Sequence, residues 1–277
     1  DSTGRVEIAA SIPDLSSFEP FIGMPLQGSI DGDAEFGGLG DAQSFNGHFN
    51  VLNFSSKMLT TGSIKASWKL DDVLRSPQGR LNVSGSEIEL EQIALQKFEV
   101  SGNLNGGISE VEIEVTGELD HDIPWNLSAY TKLYTEEMRI DLDRLHGNVD
   151  QYPFQLEDST SISFSDQRIL LSSTKLRVAD GTIETEGVWS ENLLDAQSQW
   201  KSIPLSILES FGIPIAQGNV DGKIDLSGTP EAPQGEMSIQ ISDFRTQDMM
   251  HQSDLPSVLA SSEISLSNDT LTIDSTV

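Results

Sequence analysis

The chain has 277 residues, 44 of them acidic against 16 basic, for a formal net charge of −28, and it contains no cysteine. That balance argues against nucleic acid or an anionic membrane surface as partner, because either would be repelled within a Debye length. Without cysteine there is no disulfide framework, and the compartment is not readable from thiol usage. No run approaches the roughly 18 apolar residues of a membrane helix.

From the start, Pro13 to Phe21 places Leu15, Phe18 and Phe21 three apart, which predicts a short helix with one apolar stripe. The next run alternates: Leu26, Gly28, Ile30, Gly32, Ala34 and Phe36 oppose Gln27, Ser29, Asp31, Asp33 and Glu35. A period of two is that of a strand wet on one side and dry on the other. Ile64, Ala66, Trp68 and Leu70 continue the pattern, and Leu70 to Arg75 is a weak helix candidate. Phe98, Val100, Gly102 and Leu104 follow. The clearest strand sets Val111, Ile113, Val115, Gly117 and Leu119 against Glu110, Glu112, Glu114, Thr116 and Glu118. Later strands centre on Ile140, on Ile162 and Phe164, on Ile169 and Leu171, on Leu176 and Val178, and on Met237, Ile239 and Ile241. Turn signals such as Asn105-Gly106-Gly107 and Ala179-Asp180-Gly181 separate them. This cadence predicts an all-β antiparallel meander.

Two segments echo each other. Gly218, Val220, Gly222, Ile224 and Leu226 repeat the run from Gly28 to Phe36 at a spacing of 190 residues. The segment Ile203 to Gly212 predicts a second short helix, with Pro204 in its first turn and Gly212 at its end. It repeats Pro13 to Phe21. Downstream, Gly47 to Val51 aligns with Gly235 to Ile239 after a two-residue adjustment. The expected organisation is one repetitive β domain over 1–277, with repeat units near 12–100 and 203–277 joined by strands over 101–202. The two short helices are expected to cap one end of the strands, since neither is long enough to stand alone.

Chemistry-bearing patterns are scarce. The four histidines, His48, His121, His146 and His251, show no paired spacing. Glu118 to Asp122 gathers three carboxylates around His121, yet it closes a strand before Pro124 and reads as a solvated turn. Gly37-Gly38-Leu39-Gly40 carries no lysine and reads as a turn rather than a phosphate cradle. Carboxylates lie on the wet face of nearly every strand, so no pair is singled out for glycoside hydrolysis. No catalytic residue, metal ligand or cofactor site is assigned.

Three stretches together resemble the TamB family, the inner-membrane subunit of the translocation and assembly module of Gram-negative bacteria, within the wider AsmA-like group. The first runs from Tyr152-Pro153-Phe154 through Ile162, Phe164 and Ile169 to Gly181-Thr182-Ile183 and Gly187-Val188-Trp189. The second is Ile203-Pro204-Leu205-Ser206-Ile207-Leu208. The third runs from Gly218-Asn219-Val220-Asp221-Gly222 through Leu226 and Gly228-Thr229 to Pro233 and Gly235. The resemblance implies a long half-open, taco-like β structure with an apolar groove, spanning the periplasm and anchored in the inner membrane in the full protein. It implies a role in outer-membrane biogenesis, by moving phospholipids between membranes or by assembling β-barrel proteins with a TamA-like partner. Both ends read as cut from a longer protein, with the membrane anchor and far C-terminal segment outside this stretch. On that reading, the groove floor comprises Ile30, Phe36, Trp68, Phe98, Val111, Ile113, Val115, Ile140, Ile162, Phe164, Val220, Ile224, Leu226, Met237 and Ile239. Alternation alone fits a sealed sandwich equally well, and a surface β-solenoid or adhesin-like binding domain is the competing expectation.

Overall fold

The computed structural model describes residues 4–39, 42–90, 93–119, 123–165, 167–211, 213, 215–246, 258–267 and 270–276. His121 with its flanking aspartates, His251, Gly40 and Gly212 lie outside the described residues. The structure is 79% strand, as the alternation predicts.

The chain divides into two compact units, Asp1–Glu136 and Glu137–Val277. The first holds β1 (Gly4–Ile12), a 3-10 turn (Leu15–Phe18), α1 (Glu19–Ile22), β2 (Gln27–Leu39), β3 (Ala42–Ser55), β4 (Thr60–Asp71) and β5 (Gln78–Leu90). It continues with β6 (Ile93–Asn105), β7 (Ile108–Leu119) and β8 (Ile123–Tyr134). Each of these strands pairs antiparallel with the next. The second unit holds β9 (Arg139–Val149), β10 (Tyr152–Leu156), β11 (Thr160–Ser165), β12 (Arg168–Val178), β13 (Gly181–Ser190) and β14 (Leu194–Pro204). A 3-10 helix (Leu205–Phe211) leads on to β15 (Ile215–Thr229), β16 (Ala232–Thr246), β17 (Val258–Ser267) and β18 (Thr270–Thr276). Here β10 and β11 act as one interrupted strand, since both pair with β9 on one side and β12 on the other.

Three expectations are corrected. The helix candidate Leu70 to Arg75 is the end of β4 followed by a turn. Asp72 adopts φ 50, and its carbonyl accepts from the amides of Arg75 and Ser76, which closes one turn and no more. The helix predicted from Ile203 begins two residues later, because Ile203 and Pro204 still pair with Val220 and Asn219. The two-residue adjustment in the repeat is absent. Ile30 faces Val51 and Val220 faces Ile241; Gln27 faces Ser55 and Gln217 faces Arg245; Leu39 faces Ala42 and Thr229 faces Ala232. Every one of these pairs keeps the 190-residue spacing, so Gly47 is equivalent to Met237 and not to Gly235. The equivalence also reaches upstream of the predicted start. Gly4 faces Gly38 as Leu194 faces Gly228, which makes β1 the counterpart of β14.

The repeat carries its irregularities with it. Gly28 and Gly218 both sit at positive φ, 111 and 138, against a bulge in the next strand whose left-handed residue is Asn53 or Asp243, at φ 50 and 53. Asparagine and aspartate accept that conformation more readily than other side chains. A Cβ on Gly28 would stand 2.7 Å from the Leu52 carbonyl oxygen, so only glycine fits.

Both units are thinly packed. The buried side chains among the described residues are Leu15, Leu26, Thr61, Ala66, Ile88, Ile123 and Ala129 in the first, and Thr160 and Leu194 in the second. Leu15 and Leu26 bracket the first short helix and fasten it to the sheet end, while Leu205 packs against Gly218 at the equivalent place. The accessible surface is 17472 Å². Two separate compact bodies of half this mass would expose about 14,000 Å² together.

Candidate functional site: an uncovered apolar face

Strand register lines the apolar side chains up in rows across the first unit. One row runs Ile12, Ile30, Val51, Ile64, Gly85, Phe98, Val115 and Leu127 over all eight strands. The next runs Ala10, Gly32, Phe49, Ala66, Val83, Val100, Ile113 and Ala129. A third runs Ile8, Ala34, Gly47, Trp68, Leu81, Gly102, Val111 and Thr131. In the second unit one row joins Ile140, Ile162, Leu171, Gly187, Ala196, Leu226, Gly235 and Leu266. Another joins Ser198, Ile224, Met237 and Ile264.

All fifteen floor candidates therefore lie on the apolar face of their own unit, and none is buried. Phe36 is exposed, and the other fourteen (Ile30, Trp68, Phe98, Val111, Ile113, Val115, Ile140, Ile162, Phe164, Val220, Ile224, Leu226, Met237 and Ile239) are half-buried. Half-burial is what ladder neighbours alone provide. A facing layer packed to interior density would take such side chains close to zero exposure.

Four aromatic rings explain how the face stays smooth. Trp68 is paired with Gly47, Phe98 with Gly85, Trp125 with Gly117 and Trp200 with Gly222. A Cβ built on each of these glycines would come within 3.0 Å of the partner ring: 2.6, 2.3, 2.9 and 2.5 Å respectively. Each ring thus leans over the bare backbone of its neighbour instead of standing away from the sheet. Phe45 and Phe49 flank Trp68 with ring centroids 5.3 and 6.3 Å away. Beside them lies a shallow hollow of about 150 Å³, lined by Ile8, Ala10, Ile30, Ala34, Phe49 and Trp68. The indole nitrogens of Trp68 and Trp125 are buried without an acceptor, a cost of laying an indole against an apolar surface.

The sequence reading missed Phe45, Phe49, Val83, Trp125 and Trp200 as floor residues. For Phe49, Trp125 and Trp200 the signal was a glycine or alanine opposite an aromatic in the next strand, which needs the register to be seen; Phe45 and Val83 pair with Phe36 and Leu70 and with Ala66 and Val100.

The opposite face is polar. Asp31, Asn50, Lys65, Ser84, Glu99, Glu114 and Ser128 form one continuous row across it. In the second unit the roomier hollows open on this polar side. One of about 360 Å³ is lined by Lys223, Asp225, Glu236, Glu263 and Asp274, with Lys223 Nζ 2.6 Å from Asp225 Oδ2.

Electrostatics are concentrated at the break between β10 and β11. Glu157 accepts from Arg177 Nε at 2.9 Å and lies 3.0 Å from Lys175 Nζ, which also approaches Glu184 at 3.5 Å. The Lys175 ammonium, followed by the Arg177 guanidinium, holds the Glu157 carboxyl below its usual range, and Glu157 in turn holds Lys175 above its own. Next to it, buried Thr160 shares a hydroxyl cluster with Ser172 and Thr174 at the β12 bulge. These contacts fasten an interrupted strand. His48 lies 2.9 Å from Asp33 on the wet face. No group of three or more metal-ligating side chains occurs among the described residues.

No protein-family model, curated protein or solved structure matches the chain.

Proposed function

We propose that the apolar face is the floor of a hydrophobic groove, and that the chain is a non-enzymatic part of a TamB-like apparatus for outer-membrane biogenesis. In this reading the protein stands in the periplasm, held to the inner membrane elsewhere in its length. Phospholipid acyl chains lie on the floor while the headgroup stays in water. The single observation that supports it is that none of the fifteen floor side chains is buried, fourteen being half-buried and Phe36 exposed, with no interlocking layer above them among the described residues of either unit. Each methylene kept from water lowers the free energy by about 0.8 kcal/mol, so a continuous floor removes most of the cost of carrying a lipid tail through an aqueous space.

The acidic reverse face fits this reading. It keeps a thinly packed, apolar-faced sheet soluble and repels anionic membrane surfaces from that side. The curl of the sheet into a trough, the pairing with a TamA-like partner and the handling of unfolded β-barrel clients belong to the same proposal and come from the resemblance.

The test is lipid retention. The chain is expressed in the periplasm of a Gram-negative host, purified without detergent, and extracted for phospholipid. The expected result is substoichiometric to stoichiometric phospholipid, lost when Ile113 and Val100 are both replaced by aspartate. A lipid-free protein, or lipid content indifferent to those charges, overturns the proposal.

A further inference from the structure

The floor of the first unit is uncharged, and the face behind it is acidic. None of its three apolar rows contains a lysine or an arginine. Behind Val111, Ile113 and Val115, strand β7 sets Glu110, Glu112 and Glu114 on the wet face. In the ladder Glu114 stands between Glu99 and Ser128, Glu112 between Ser101 and Tyr130, and Glu110 between Asn103 and Lys132. Like charges directly opposite, as Glu99 and Glu114 are, cost stability. Lys97 Nζ lies 3.3 Å from Glu99 Oε2, but both side chains are exposed, so the ion pair offsets little of that charge.

We infer that this arrangement makes the groove select zwitterionic phospholipids over anionic ones. The inference rests on the reading of the apolar face as a lipid floor, and adds its headgroup selectivity.

Layers packed on a sheet lie about 10 Å from it, so a group resting on the floor is within about a Debye length of the glutamates behind. The sheet itself admits no salt, so their field reaches the floor less screened than it would through water. A phosphate held there meets that field with no lysine or arginine in the rows to pair with it. An anionic lipid bears the repulsion uncompensated. A zwitterionic lipid carries its own ammonium a few bonds from the phosphate, and the two contributions largely cancel. Acyl chains make the same apolar contacts in either case, so the headgroup charge alone decides between them.

The test incubates the purified chain with vesicles of equal parts phosphatidylcholine and phosphatidylglycerol bearing the same acyl chains, re-isolates it and counts the bound headgroups. One surface offers both lipids, so repulsion between chain and vesicle favours neither. At about 20 mM salt the bound lipid is expected to be enriched about threefold or more in phosphatidylcholine, and at about 0.5 M salt to approach the vesicle composition. Replacing both wet-face glutamates, Glu99→Lys with Glu114→Lys, is expected to move the low-salt ratio towards phosphatidylglycerol without reducing total bound lipid. Glu114→Gln alone, which removes the like-charge pair, is expected to move it part of the way. Bound lipid at the vesicle composition in low salt, or a ratio that neither variant moves, overturns the selectivity and leaves the floor standing. Absence of bound lipid of either kind overturns the floor and the selectivity together.

Discussion

The indole of Trp68 occupies the space that a side chain on Gly47 would fill: a Cβ there would stand 2.6 Å from Trp68 Cζ2 and 2.5 Å from the carbonyl oxygen of Asp33. The second contact is with backbone, so swinging the ring aside does not relieve it. Gly47→Ala is expected to destabilise the first unit by about 1–3 kcal/mol, as overpacking does. A lower urea midpoint and red-shifted tryptophan emission check this.

Trp68 itself separates two contributions. Its ring covers the neighbouring backbone, but its N–H is buried without an acceptor. Trp68→Phe keeps most of the cover and removes the unsatisfied donor, and is expected to fall within about 1 kcal/mol of the parent. Trp68→Ala loses the cover and is expected to cost about 2–3 kcal/mol, since the side chain is only half-buried. Equal losses in chemical denaturation would show that the ring is not what matters.

Gly28 and Gly218 share one backbone role in the two copies of the repeat. Alanine at either site forces a side chain into a positive-φ conformation, and at Gly28 also against the bulged strand at 2.7–2.8 Å. Each substitution is expected to cost about 1–3 kcal/mol, with Gly28→Ala the more severe. Asn53→Gly, at the left-handed bulge residue beside Gly28, is expected to be nearly neutral, whereas Asn53→Val should destabilise clearly. Thermal midpoints of the four variants check the ordering.

Much of this architecture was legible in the residues. The run from Glu110 to Leu119 alternates so cleanly that strand, face and solvent side follow from period two alone, and Leu205, Leu208 and Phe211 announce their short helix. What was hidden is parity. Counting in twos from Phe98 puts Gln96 on the dry face. The ladder instead places Leu95 opposite Gly117, two positions on from Val115, because Gln96 is the extra residue of a bulge. Glu87, at φ 53, likewise brings Ile88 round to the dry face opposite Leu95. Bulges shift register without any strong local signal, so residues beyond them change face unseen. The same limit explains the misplaced two-residue adjustment in the repeat, where Gly47 and Gly235 look alike but pair differently. For the candidate site, alternation identified the apolar side chains but could not say whether a second layer covered them.

The Glu157 cluster makes stability pH-dependent with a definite sign. Lys175 and Arg177 depress the Glu157 carboxyl in the folded state, so its contribution is fully present above the ordinary carboxylate range and is lost as the pH falls through and below that range. Removing the carboxylate should flatten the profile there. Acid unfolding of Glu157→Gln, compared with the parent between neutral pH and about pH 3, is expected to show a smaller loss of stability on acidification. A parallel curve would assign the acid sensitivity to other carboxylates.

The most direct test of the account places one photo-crosslinking residue at Ile113 and, separately, at Glu112. These neighbours in β7 point to opposite faces of the same strand, the first half-buried on the apolar floor and the second exposed on the wet side. In cells loaded with radiolabelled phospholipid precursor, the account predicts a lipid adduct at position 113 and none at 112. Adducts at both positions, or at neither beside a positive control, would contradict an apolar floor that carries lipid.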